Sequence, residues 1–326
     1  MKLLTIDGGR TTRVGVLLGD QVLDVDSTAE FFGDDRQYPK SIKAAIAKGH
    51  STVGLLTNLI NKVNEATESQ LASLRESGAL NPYSETDLHA PIPNPGFILS
   101  VGMNYRDHLA EMNTPVPDVP ASFTKHPSGV TGPGQPIILP ASNGEMVDFE
   151  AEICFVFGRE CYNVAEADAW NYVAGLTIAN DVSARDWVAP IFEQDTTMGA
   201  IHAWEANVLG KQYPTFCPMG PVLATMDEIA NPDDLRIETR LNGKVMQSSS
   251  SSQLVFSIPK LIAYFSKWYK FAPGDIVTTG SPAGVGYGRN PKVFMREGDV
   301  IEVEVEGVGT LSNPVSAIRN SQTYGH

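Results

Sequence analysis

The sequence predicts an α+β fold in which a small β-rich N-terminal lobe precedes a curved mixed sheet or barrel, and three features point to it. Short apolar segments punctuated by Gly, Pro, Asn and Asp dominate from residue 97 onward. They outnumber helical patterns and do not alternate with them, which argues against a doubly wound parallel sheet. A run rich in proline, APIPNPG at 90–96, divides this part from what comes before.

From Leu3 to about Val25, apolar and polar residues alternate around the turns DGGR and LGDQ, the pattern of a short antiparallel meander. Ile42, Ile46, Leu55, Leu56, Leu59 and Ile60 then recur at helical spacing, giving two helices joined near Gly49. The Ser-, Asn- and Pro-rich stretch that follows sets a domain boundary, with a small domain over 1–90 and a larger one over 91–326. Strands are expected at FILSVG, PIILP, EAEICFVFG, YVAGLTIAND, DIVTTG and VIEVEVEG. One helix interrupts them, N-capped by Ser257, with Ile258, Leu261, Ile262, Phe265 and Trp268 along one face. The serine run Ser248–Ser252 reads as a surface loop.

The chain has 326 residues, 42% of them hydrophobic and 19% charged, an ordinary globular balance with room for one large domain or two. No apolar run approaches the roughly 20 residues that span a bilayer. A net charge of -14 disfavours nucleic acid and anionic membranes as partners, since both bind clustered Lys and Arg. It would also repel an anionic substrate unless local cations or a bound metal reversed the potential. Cys154, Cys161 and Cys217 form no CxxC pair, and MKLLTIDGGR lacks the apolar stretch of a signal peptide, so a reducing, cytoplasmic setting is expected.

The chemistry concentrates in acids. In MVDFEAEICFVFG, Asp148, Glu150 and Glu152 occupy alternate positions, which a strand directs to one face among apolar neighbours. Crowded carboxylates repel unless a cation compensates them, and Mg²⁺, Mn²⁺ or Ca²⁺ prefers such oxygen ligands. An acidic edge strand facing water is the plainer reading. The apolar run AGLTIAND ends in Asp181, which could add a third carboxylate, and Arg185 could orient an anionic substrate, although a turn with a surface ion pair would look the same.

In MNYRDHLAEMN, His108 and Glu111 stand three apart on one face of a short helix. A carboxylate beside imidazole suits a general base for water activation; a solvated pair is the alternative. The other histidines lack zinc-ligand spacing. The loop TTGSPAGVGYG has no helix start after it to hold a pyrophosphate, so a tight turn whose amides and Thr279 hydroxyl approach the substrate fits better than a nucleotide site.

Seven segments in order, VGMNYRDHLAE, PASFTKHPS, DFEAE, ANDVSARDW, GKQYPTFCPMGP, PGDIVTTGSPAGVG and EGDVIEVEVEGVGTLSN, resemble the fumarylacetoacetate hydrolase superfamily over about residues 91–315. GVLLGDQVLDV resembles the small β domain that precedes the catalytic part in many members. The resemblance implies a mixed sheet rolled into a deformed barrel, a homodimer, and Mg²⁺ or Mn²⁺ held by Glu150, Glu152 and Asp181. It matches His108 and Glu111 to a catalytic dyad and Lys211 to a catalytic lysine, and it matches Arg185, Lys125, Thr279 and the Asn104 of GxNYxxH to the substrate pocket. Asp148 has no such family role. The chain departs from the pattern in a longer stretch between Trp187 and Lys211 and in GKQYP where GKSFD is usual.

The expected reaction is hydrolysis of a carbon–carbon bond in a 2,4-dioxo acid such as an acylpyruvate. His108, oriented by Glu111, would activate water, and Lys211 would stabilise the oxyanion. Decarboxylation, hydration or isomerisation through the same enolate chemistry is the alternative. A metal-braced, ligand-binding oligomer without catalysis is the rival from another class.

Overall fold

Alternation at the start of the chain becomes three antiparallel strands, β1 (Lys2–Asp7), β2 (Thr12–Leu18) and β3 (Gln21–Asp24), in the computed structural model, which describes residues 1–187 and 194–318. Helix α1 (Val25–Phe31) starts at Asp24, whose carboxylate accepts the Ser27 amide at 3.1 Å. The helical stretch beyond it holds three helices rather than two: α2 (Ile42–Ala47), α3 (His50–Asn64) and α4 (Glu68–Glu76). Gly49, at a φ of 56° that favours glycine, makes the first break. Thr67 and Gln70 make the second through a reciprocal capping box.

After the short strands β4 (Leu80–Pro82) and β5 (Leu88–His89), the larger part runs through β6 (Ile98–Gly102), α5 (Arg106–Glu111), β7 (Ala121–Lys125) and β8 (Val130–Thr131). Next come β9 (Ile137–Leu139), β10 (Val147–Asp148), β11 (Ala151–Phe157), β12 (Val173–Asn180), β13 (Ser183–Ala184), α6 (Thr197–Leu209) and β14 (Cys217–Thr225). The chain closes with β15 (Arg236–Leu241), β16 (Lys244–Ser250), α7 (Ile258–Phe265), β17 (Ile276–Thr278), β18 (Val300–Val305) and β19 (Gly309–Ala317).

The expected barrel does not close. One sheet runs β4-β3-β2-β1-β14-β12-β11-β17-β6-β7 and a second runs β16-β15-β18-β19-β9, and among the described residues neither joins its own ends. The N-terminal meander is not a sheet of its own, because β1 pairs antiparallel with β14 and so extends the main sheet. Two further expectations change. The serine run forms the end of β16 and the turn after it, with Ser251 buried, since its hydroxyls bond inward to backbone and side chains. Trp268 lies beyond the end of α7 and is 69% exposed.

Strand β11 is buried along its whole length, and its alternation separates two cores. Ile153, Phe155 and Phe157 face a cluster with Leu261, Phe265 and Val303, whereas Cys154 and Val156 face the helices through Ile42, Leu59 and Leu74. Truncating a fully buried aromatic such as Phe155 to alanine costs about 3–5 kcal/mol. A third core, with Phe149, Val182, Ile301 and Val315, supports the segment between β10 and β11 from the second sheet.

Candidate metal centre

Two neighbouring strand pairs break at the same level. Asp148 pairs with Ser183 in β10 and β13, and Ala151 pairs with Asn180 in β11 and β12; residues 149–150 and 181–182 lie outside both ladders. The Asp181 amide donates to the Glu150 carbonyl at 2.8 Å, and the Glu150 amide to Asn180 Oδ1 at 2.9 Å, so the break is tightly held. In an unbroken strand, side chains two residues apart are separated by about 6.6 Å. Here one carboxylate oxygen from each of Glu150, Glu152 and Asp181 lies within 4.8 Å of the others, all three residues being buried.

Three cations meet these acids. Lys211 Nζ donates to Glu150 Oε2 at 2.6 Å, Asp181 Oδ2 at 2.7 Å and Ser183 Oγ at 2.7 Å, which occupies all three of its protons. Lys125 Nζ donates to Asp181 and, at 2.7 Å, to the Lys211 carbonyl. Arg185 bridges Glu150 and Asp148, its Nε lying 3.0 Å from Asp148 Oδ2. The sequence suggested that Arg185, Lys125 and Lys211 would face a substrate. The structure turns all three towards carboxylates, because a buried acidic cluster draws the nearest positive charge.

Asp148, outside the triad, organises what surrounds it. Its oxygens accept the amides of Phe149 at 2.8 Å, Gly286 at 2.6 Å and Tyr287 at 3.0 Å, besides Arg185. Burial raises its pKa, and Arg185 offsets only part of that rise. With both oxygens facing only donors, the group is a carboxylate. The glycine-rich loop thus serves the acids directly: Gly280 donates to Glu152 at 2.8 Å and Gly284 to Glu111 at 3.0 Å. A side chain at Gly288 would put its Cβ 2.7 Å from the Glu111 carboxyl carbon and push that carboxylate from its place.

The charges do not balance. Asp148, Glu150, Glu152 and Asp181 face Lys125, Lys211 and Arg185, which leaves one negative charge uncompensated. It falls on Glu152, to which Gly280 donates and no cation pairs among the described residues. Burial, reinforced by the like charge of Asp181, pushes the Glu152 pKa up to about 8. Burial acts the same way on Glu150, but Arg185, Lys211 and, more weakly, His108 outweigh it and hold that carboxyl below its ordinary range. Burial opposes charge on Lys211 as well, yet Asp181 and Glu150 more than offset it and raise its pKa. A buried carboxylate short of one cation, beside two more carboxylates, fits a hard divalent ion such as Mg²⁺ or Mn²⁺. Such an ion would leave the cluster with one net positive charge, able to attract an anion despite the acidic chain.

His108 and Glu111 are in contact. His108 Nδ1 lies 3.1 Å from Glu111 Oε2 on α5, both side chains partly buried, and Glu111 is fixed by the Gly284 amide. His108 stands close enough to Glu150 to influence its charge. Asn104 and Thr279 bond to the backbone instead of projecting into the site. Asn104 Nδ2 donates to the Thr279 carbonyl at 2.9 Å and the Phe256 carbonyl at 3.1 Å, and Thr279 Oγ1 donates to the Ile153 carbonyl at 2.9 Å. In the longer stretch before Lys211, residues 188–193 lie outside those described, and the remainder forms α6.

Sequence reading gave Ser183 no role, aimed the loop amides at the substrate where they serve the acids, and missed Gln247. Gln247 Oε1 accepts from Ala151 N at 3.1 Å and Thr239 Oγ1 at 2.8 Å, and its Nε2 donates to Ser281 Oγ and the Pro282 carbonyl, each at 2.8 Å. It therefore ties the strand bearing the acids to the glycine-rich loop. Nothing local marked it, because it adjoins the serine run Ser248–Ser252.

Residues 97–316 match the family model described as fumarylacetoacetate (FAA) hydrolase C-terminal. The protein named oxaloacetate tautomerase fahd2, mitochondrial, from Xenopus laevis is 46% identical over 255 residues, covering 77% of this chain and 76% of its own length. The oxaloacetate tautomerase YisK of Bacillus subtilis (strain 168) is 36% identical over 309 residues, 93% of this chain and 95% of its own. Among solved structures, maleylpyruvate hydrolase from Sphingobium sp. SYK-6, in complex with manganese(II) ion and pyruvate, superposes with a TM-score of 0.73 at 27% identity, covering 98% of this chain and 100% of that one.

Proposed function

The chain belongs to the fumarylacetoacetate hydrolase family, and from that premise we propose that it is a Mg²⁺- or Mn²⁺-dependent tautomerase that exchanges the keto and enol forms of a small 2-oxo dicarboxylate of the oxaloacetate type. The observation that carries the reading is the buried triad Glu150, Glu152 and Asp181, one cation short. The tautomerase names of relatives up to 46% identical support this reaction beside the carbon–carbon hydrolysis that the motifs suggest. A bound divalent ion would supply Lewis acidity to the 2-oxo oxygen and its neighbouring carboxylate.

The chain's own residues would divide the remaining work. Glu150, Glu152 and Asp181 would hold the ion, while Lys125, Lys211 and Arg185 keep the first and third aimed. His108, oriented by Glu111, exchanges a proton with the substrate carbon next to the carbonyl. Enol formation moves that proton from carbon to oxygen without cleaving the chain, so no water is consumed. Conversion of enol to keto oxaloacetate, followed by the decay of enol absorbance, tests this. The enzyme should accelerate it above the rate with free metal, and His108→Ala should lose about 10²–10⁴-fold. Equal rates with and without protein would refute the reading.

Hydrolysis of a 2,4-dioxo acid is the second reading, favoured by the 3.1 Å His108–Glu111 dyad, which is also the arrangement for activating water. Release of two acids from an acylpyruvate would select it.

A further inference from the structure

A cavity of about 730 Å³ shares no residue with the acidic centre. It lies between the α2–α3 joint and the starts of β12 and α3, and it is walled by Leu56, Trp170 and Tyr172. Val173, at the start of β12, lines it, whereas Asp181 follows the other end of that strand. At about 3.3 Å per residue the two sites are roughly 25 Å apart.

Its lining is net basic, with Lys48 and Arg159 against Asp227, on a chain that carries 38 acidic against 24 basic side chains. Lys48 and Arg159 line this cavity and have no ion-pair partner among the described residues. Arg159 leans on the Tyr172 ring, its guanidinium carbon 5.9 Å from the ring centre, an arrangement that keeps the group near the cavity wall. The acid among the lining residues, Asp227, is held by the N-terminal ammonium at 3.0 Å. Gly49 and Thr52, at the start of the 15-residue α3, also line it; their amides donate to the Ile46 and Gly49 carbonyls, and the helix dipole there favours an anion. The volume suits a small molecule, and mostly apolar walls with a few convergent polar groups are what such sites require.

We propose that this cavity is a binding site for a small organic anion: a flat apolar body between Trp170 and Tyr172, with an anionic head, carboxylate or phosphate, facing Lys48 and Arg159. Two uncompensated cations in a strongly acidic protein are the observation that decides its sign, and the aromatic wall decides the body.

Crystals of the metal-loaded protein soaked in 4-iodobenzoate or 4-iodophenyl phosphate, with oxalate in excess to occupy the acidic centre, test this through the anomalous signal of iodine. The proposal expects iodine beside Trp170 with either or both probes, and the stronger signal identifies the preferred head. In solution, benzoate or phenyl phosphate binding followed by calorimetry should weaken at least tenfold in K48E/R159E, and benzyl alcohol should bind at least tenfold more weakly than the anions. Lys48 and Arg159 are exposed, so the variant should melt with the parent protein; R159Q alone should retain part of the affinity. Absence of iodine from the cavity, binding unchanged by the charge reversal, or equal binding of benzyl alcohol would overturn it.

Discussion

Two strands carry glutamates at alternate positions, and they do opposite things. In β11 and the residue before it, Glu150 and Glu152 are buried among cations at the edge of a sheet break. In β18, Glu302 and Glu304 face outward on an unbroken strand, where Arg240 reaches them at 3.2 and 2.8 Å with the acids about a third exposed. Solvent screens the second row, so its alternation is a surface charge ladder. The first is enclosed by Phe149 and the second sheet, so its charge must be met inside the protein. Alternation sets which face the acids share; burial decides what they must find there.

The largest difference between the rows should come from removing their cations. Arg185→Leu leaves Asp148 without a cation and Glu150 with Lys211 alone, and breaking such a buried pair costs about 3–5 kcal/mol, readable as a lower urea midpoint. The Glu152 carboxyl separates the rows next. In the metal-free protein it holds a proton that the unfolded chain has released between its ordinary 4.5 and about 8. Stability should therefore fall as pH rises through that window, by roughly a few kcal/mol, and level off above it. Saturating Mg²⁺ should flatten the slope in a series of melting curves. Asp181→Asn should weaken Mn²⁺ binding by more than the ~10–100-fold typical of groups behind the ligands, measured by equilibrium dialysis. The smallest effect belongs to the exposed ladder: Arg240→Gln should change stability by under about 1 kcal/mol, and less in high salt.

Much of the acidic centre was legible because its signals are local. Glu150 and Glu152 lie in one short segment, Asp181 closes an apolar run, and His108 and Glu111 sit one helical turn apart. What escaped reading depends on distant parts of the chain. The break between β10 and β11 exists because Asp148 collects amides from residues 286 and 287, and nothing near Asp148 announces them. The orientation of Lys125, Lys211 and Arg185 follows from a charge balance that only the assembled cluster defines. The joining of the N-terminal meander to the main sheet follows from pairing between β1 and β14, more than 200 residues apart, and the burial of Ser251 from a turn that returns to Leu235 and Pro232.

Calorimetric titration of the metal-free protein with Mn²⁺ at pH 7, repeated in two buffers of different ionisation enthalpy, addresses the central claim most directly. One ion should bind and release close to one proton, that of Glu152, and Glu152→Gln should abolish both the tight binding and the release. Tight binding that survives Glu152→Gln, or that releases no proton in the unaltered protein, would contradict a centre built on the uncompensated charge of that residue.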